Sequence, residues 1–146
     1  ETGYGFNYTG VEGLSLSYAT TDVETGTAST SGDNTVYKGS YAYGPVTVSY
    51  SEMENSVAAA SNALDRTSTS YAVSYTVSDE LSLTYGSETH DKGDSTVDME
   101  VEGFSASYTS GGMTVSAAMQ SMDDGDFATG ASNDLDYWAL GFSFAF

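Results

Sequence analysis

Very few side chains in this sequence are equipped for chemistry. The basic residues are Lys38, Arg66 and Lys92, the one imidazole is His90, and cysteine is absent. Without Cys there is no thiolate nucleophile, disulfide framework or zinc ribbon, and one His excludes any site built on two imidazoles. His90 precedes Asp91 and Lys92, and a His beside an acid is where a general-base arrangement would begin. Acyl transfer, however, needs an organised set of Ser, His and acid. The stretch 86–96 reads as a solvated loop, so no catalytic residue is assigned and the chain is not expected to be an enzyme. Asp123-Asp124-Gly125-Asp126 offers the hard oxygen ligands that Ca²⁺ takes, but not at EF-hand spacing, and a solvated acidic loop is the simpler reading. Asp22, Glu24 and Asp33, or Asp91 with Asp94, are sparser versions of the same idea. No cofactor is expected beyond this weak calcium candidate.

Three basic residues stand against 21 acidic ones, a formal charge of −18, although charged residues are only 16% of the chain. Soluble domains usually carry roughly 25%. Nucleic acid is excluded as a partner, because phosphates need Lys and Arg. Apolar runs are too short for a transmembrane helix, and Glu1-Thr2-Gly3-Tyr4 has neither the basic start nor the apolar stretch of a signal peptide.

The elements that position these residues are repeats. Leu14-Ser-Leu-Ser-Tyr18, Val46-Thr-Val-Ser-Tyr50, Leu81-Ser-Leu-Thr-Tyr85 and Met113-Thr-Val-Ser-Ala117 are copies of one phrase. Each follows a turn signal, at 10–13, 44–45, 78–80 and 110–112, and each turn follows another alternating segment, such as Tyr71-Ala-Val-Ser-Tyr75. The unit is strand, tight turn, strand, long loop. A ninth strand, 136–146, ends the sequence, and strict alternation argues for β structure throughout. Val97, Met99 and Val101 are out of phase with Phe104 and Tyr108, which predicts a β-bulge or register change near 102–103. Long loops are expected at 22–34, 53–66, 86–96 and 122–134, with most carboxylates in or beside them. An Ala-rich short helix is expected within 56–65.

One face of the strands is Tyr, Phe, Leu, Val and Trp; the other is Ser, Thr, Ala, Gly and Asn, with Lys38 as its single cation. A soluble sandwich would wet the second face and put Lys and Glu on it, and would bury many tyrosine hydroxyls that each need a partner. A lipid-facing barrel expects this pattern directly: apolar residues outward, small polar residues toward a lumen, and aromatic girdles at both interfaces. Tyr18, Tyr50 and Tyr85 fall at one height and Tyr8, Tyr43, Tyr75 and Tyr108 near the short turns. The fold class is therefore all-β, an antiparallel transmembrane β-barrel of about nine meander strands in this sequence.

Trp138, Leu140, Phe142, Phe144 and Phe146 resemble the closing-strand signal of Gram-negative outer-membrane barrels. The hairpin phrases Gly44-Pro-Val-Thr-Val-Ser-Tyr50 and Ser110-Gly-Gly-Met-Thr-Val-Ser116 are similar to those of general porins, especially the acidic porins of marine alphaproteobacteria. The resemblance implies an outer-membrane location with long loops outside and a homotrimer. It also implies lipid, lipopolysaccharide and the outer-membrane assembly machinery as partners. An odd strand count leaves a parallel seam, so residues 1–146 are expected to be the C-terminal part of a barrel of about sixteen strands. The function expected is passive diffusion of small hydrophilic solutes, with cations preferred. The lumen would be lined by Ser15, Ser17, Lys38, Thr47, Ser49, Ser70, Ser74, Ser82, Thr84, Ser105, Ser107, Thr114, Ser116 and Ser143. The alternative is a narrow barrel acting as surface anchor, adhesin or receptor.

Overall fold

Alternating apolar and hydroxyl residues separated by glycine-containing turns produce antiparallel hairpins, and here the hairpins follow one another without a crossover. The computed structural model describes residues 1–27, 31–58 and 62–145. The strands are β1 (Thr2–Tyr8), β2 (Leu14–Val23), β3 (Gly32–Tyr43), β4 (Val46–Val57), β5 (Arg66–Thr76), β6 (Leu81–Lys92), β7 (Met99–Ser110), β8 (Met113–Asp123) and β9 (Leu135–Phe144). They form one nine-stranded sheet in sequence order, in which each strand pairs antiparallel with the next. Gly44, with φ of 57° ahead of Pro45, and Gly111-Gly112, at 57° and 81°, adopt the left-handed dihedrals that tight hairpin turns require. β1 and β9 run in the same direction, and within the sheet each is paired along one edge only.

The sheet is a single layer. No hydrophobic residue among those described is buried, and the chain exposes 9655 Å². A compact monomer of this mass, 15.3 kDa, would expose about 7,100 Å². Large apolar side chains stand in the open, with Trp138 at 75% and Phe142 at 61%. An apolar face of this extent far exceeds the few-hundred-Å² patches that soluble monomers show. Among the described residues no helix is long and apolar enough to cross a membrane.

Three local expectations are corrected. First, there is no bulge near 102–103: β7 pairs with β6 in unbroken register from Leu81↔Tyr108 to His90↔Met99, and with β8 from Glu100↔Asp123 to Ser110↔Met113. Instead the polarity of the faces inverts toward the long-loop end. There the face that carries Tyr85 and Phe104 continues as Glu102 and Glu100, while the hydroxyl face continues as Val101 and Met99. The same change occurs on β4, where Tyr50 is followed on its face by Glu52 and Glu54, and the opposite face reaches Met53 and Val57.

Second, the strands run further than expected, so the connections shrink to 24–31, 58–65, 93–98 and 124–134. Asp22, Asp33, Glu52, Glu54, Glu88, Asp91 and Asp123 are consequently strand residues. Backbone pairing propagates from the short turns whether or not the side chains are apolar. Third, Ser56 and Val57 belong to β4, and the described part of 58–65 contains a single 3-10 turn, Asn62–Leu64. Residues 59–61 of that expected helix lie outside the described residues.

Candidate functional site on the hydroxyl face

Cross-strand register decides which residues share a face. Ser17↔Lys38↔Ser51↔Ser70↔Glu88 is one row of the hydroxyl face. Ser15 and Ser49 share this face through their partners Ser40 and Ala72. Thr47↔Ser74↔Thr84↔Ser105 is a row nearer the turns. Ser82↔Ser107↔Ser116 and Thr114↔Ser143 complete the set. All the residues expected to line a lumen therefore lie on one face. Neighbouring hydroxyls satisfy one another across strands, as in Ser74 Oγ to Thr84 Oγ1 at 2.9 Å. A hollow of about 350 Å³ is lined by Lys38 and by Ser15, Ser17, Ser40, Ser49, Ser51 and Ser70. Lys38 has no ion-pair partner among the described residues, whose two salt bridges are His90–Glu88 and Lys92–Asp94.

The hydroxyl face also gathers the remaining basic groups, which the sequence scattered. Arg66 pairs with Lys92, and Ser68 with His90, on adjacent inward rungs of β5 and β6. His90 is thus a strand residue and not the solvated loop residue expected: its Nδ1 lies 2.8 Å from Ser68 Oγ and its Nε2 3.1 Å from Glu88 Oε1. Register from the turn at 77–80 would have shown this, had β5 and β6 been extended past their apolar residues. Ser68, His90 and Glu88 are in contact, and the next rung outward has partners of its own. The Arg66 guanidinium donates to the carbonyl oxygens of Ala63 and Asp65, at 3.0 and 2.6 Å, and Lys92 is 3.0 Å from Asp94. Lys92 holds the Asp94 carboxyl below the usual carboxylate range through a hydrogen bond. This pair therefore contributes at neutral pH and is lost as pH falls through that lowered value.

The long-loop end is joined across strands. Gly93 N–H donates to Asp65 O at 3.2 Å, and Ser95 Oγ donates to Phe127 O at 3.5 Å. The Arg66 guanidinium lies 5.8 Å from the centroid of the Phe127 ring, a cation–π contact worth about 0.5–1 kcal/mol at an exposed site. Phe127 ends the 3-10 turn Gly125–Phe127, and Asp124, Asp126 and Phe127 all have left-handed φ, between 55° and 60°. Each such residue costs roughly 1–2 kcal/mol, a conformation kept only where surrounding contacts impose it. The contacts here include Gly125 N–H to Asn133 O at 2.9 Å and Asn133 Nδ2 to Ala128 O at 3.0 Å. Asp123, Asp124 and Asp126 do not converge: among the described residues no three His, Asp or Glu side chains form a group that could hold a metal ion.

No protein-family model matches the chain, and no curated protein matches it. Its fold does match a solved structure, a porin refined at 1.8 Å resolution, with a TM-score of 0.72 and 18% identity over 96% of this chain and 50% of the porin. The fold is porin-like. The chain spans about half the length of that porin, and a porin-like barrel is apolar outside and polar within.

On the apolar face of this porin-like sheet the aromatics form rows. Phe6↔Tyr18↔Tyr37, Tyr50↔Tyr71 and Tyr85↔Phe104↔Met119↔Trp138 run along the upper edge of the apolar zone. The rings of Tyr18 and Tyr37 are 5.2 Å apart and those of Tyr50 and Tyr71 5.1 Å apart. Tyr37, Tyr71, Phe104 and Trp138 join Tyr18, Tyr50 and Tyr85 in this row, an addition that follows from register alone. Tyr8, Tyr43, Tyr75 and Tyr108 lie on the same face near the turns. Trp138, Leu140, Phe142 and Phe144 also point to this face, whereas Phe146 lies outside the described residues. Above the upper row the face is carboxylate-rich, and there Tyr50 donates a hydrogen bond to Glu52.

Proposed function

We propose that this chain is the C-terminal part of a passive diffusion channel of the Gram-negative outer membrane, akin to the acidic alphaproteobacterial porins, working as a homotrimer. The observation that carries the reading is a coreless sheet with one apolar and one hydroxyl-lined face in a porin-like fold. Lipid and lipopolysaccharide would cover the apolar face, the assembly machinery would read β9, and small hydrophilic solutes would cross along the hydroxyl face. Small lumen side chains leave space that a narrow plugged barrel would fill with bulk, which speaks against the anchor reading. Closure of the seam needs an odd number of further strands, because β1 and β9 are parallel and each must pair antiparallel; about seven would give about sixteen. No cofactor or enzymatic step is part of this function.

Short turns would face the periplasm and long loops the exterior. Protease added to intact cells is expected to cut within 58–65 or 93–98, and cuts confined to 44–45 or 111–112 would reverse the orientation.

Cation preference is proposed from the charge of −18, despite Lys38, Arg66 and Lys92 on the lumen-facing side. Exposed charge is screened within about 8 Å at physiological ionic strength. The reversal potential of the intact protein under a KCl gradient should therefore favour K⁺ strongly in dilute salt and weakly in concentrated salt. A Cl⁻-selective potential in dilute salt would mean that the lumen cations prevail over the mouth.

A further inference from the structure

We propose that residues 124–134 form an acidic cap folded inward over the mouth of the channel, pinned by Phe127 on Arg66, and that this cap sets the size limit and adds to the cation preference there. The proposal rests on the channel reading and names its specificity-determining element. Residues 124–134 connect β8 to β9, yet Phe127 meets Arg66 on β5. With strands about 4.8 Å apart, that partner lies three strands back, roughly 14 Å along the sheet. Arg66 is on the hydroxyl face, so the connection must cross the lumen side to reach it.

Two further observations place the loop on that side. A Cβ built on Gly125 would come within 2.9 Å of the Met122 methyl, and Met122 shares the hydroxyl face with Gln120 and Val101. Ser95, from the connection between β6 and β7, hydrogen-bonds the Phe127 carbonyl, so the intervening loop lies under the same cap. The inversion of polarity has a purpose here: outside the apolar zone the lumen side of the wall carries Met and Val, and these give an inward loop something to rest on. The cap brings Asp124, Asp126 and Asp134 with it. The Asp134 carboxylate accepts from Asp124 N–H at 3.2 Å, while Asp126 is exposed. A carboxylate held over an aperture acts on every ion that passes.

The test uses the intact protein in planar bilayers and in liposomes challenged with sugars of increasing size. Phe127→Ala should raise single-channel conductance about 1.5-fold or more and admit larger sugars, and Arg66→Gln should do the same by removing the anchor. Asp126→Lys, at an exposed position outside every strand, should shift the reversal potential toward Cl⁻ in protein that still forms a heat-resistant barrel. The cap is overturned if the wild type conducts and Asp126→Lys leaves the potential unchanged. It is equally overturned if Phe127→Ala forms a heat-resistant barrel with wild-type conductance and sugar limit. A wild-type protein that conducts nothing overturns the channel reading itself.

Discussion

Val73→Arg will sharply lower the yield of the intact protein folded into lipid vesicles, whereas Ser74→Arg, one residue along the same strand, will be tolerated. Val73 pairs with Val48 and Tyr85 on the apolar face, midway between Tyr71 and Tyr75. An Arg there faces the hydrocarbon near its midplane, which costs about 2–4 kcal/mol in membrane barrels. Protein stabilities total only about 5–15 kcal/mol. Ser74 pairs with Thr47 and Thr84 on the hydroxyl face, where a long cation extends into water. The fraction of protein migrating as a compact, heat-resistant species on a gel after refolding separates the two variants. Equal folding of both would mean that the apolar face does not meet lipid.

Replacing Phe142 and Phe144 together with Ser should impair insertion far more than two Ser substitutions in 93–98. Both rings stand on the apolar face, 61% and 57% exposed, opposite Val115 and Met113. Each contributes on the order of 2 kcal/mol when lipid covers it, so the pair approaches the whole stability of a modest domain. Deleting Phe146 alone examines the closing-strand signal apart from this apolar contribution. Expected is a protein that folds in detergent yet accumulates unassembled in cells. Normal outer-membrane levels for both variants would remove β9 from the targeting role proposed for it.

Much of this architecture is legible because a β-strand repeats every two residues. Alternation in 14–18, 46–50, 71–75 and 81–85 assigns each side chain to a face, and Gly44-Pro45 or Gly111-Gly112 marks where the chain reverses. Register follows from those turns, so the hydroxyl face, the tyrosines on the opposite face and the odd strand count are all readable in the sequence. The sequence by itself therefore determined the fold class and the two faces.

It did not determine what happens past the upper aromatic row. There the apolar and polar residues exchange faces, so alternation alone reads the exchange in 97–104 as a bulge and Glu54 and Glu88 as loop residues. Backbone hydrogen bonds carry pairing onward regardless of which side chains face out, so strand length was decided by the ladder and not by the pattern. His90 met Ser68 and Glu88 only once β5 and β6 were paired to their ends. The contact of Phe127 with Arg66 lay furthest from the sequence. It joins residues sixty-one positions apart, one in the connection between β8 and β9 and the other at the start of β5. Local periodicity records which face a residue takes, but where a loop comes to rest depends on how the whole sheet curves beneath it.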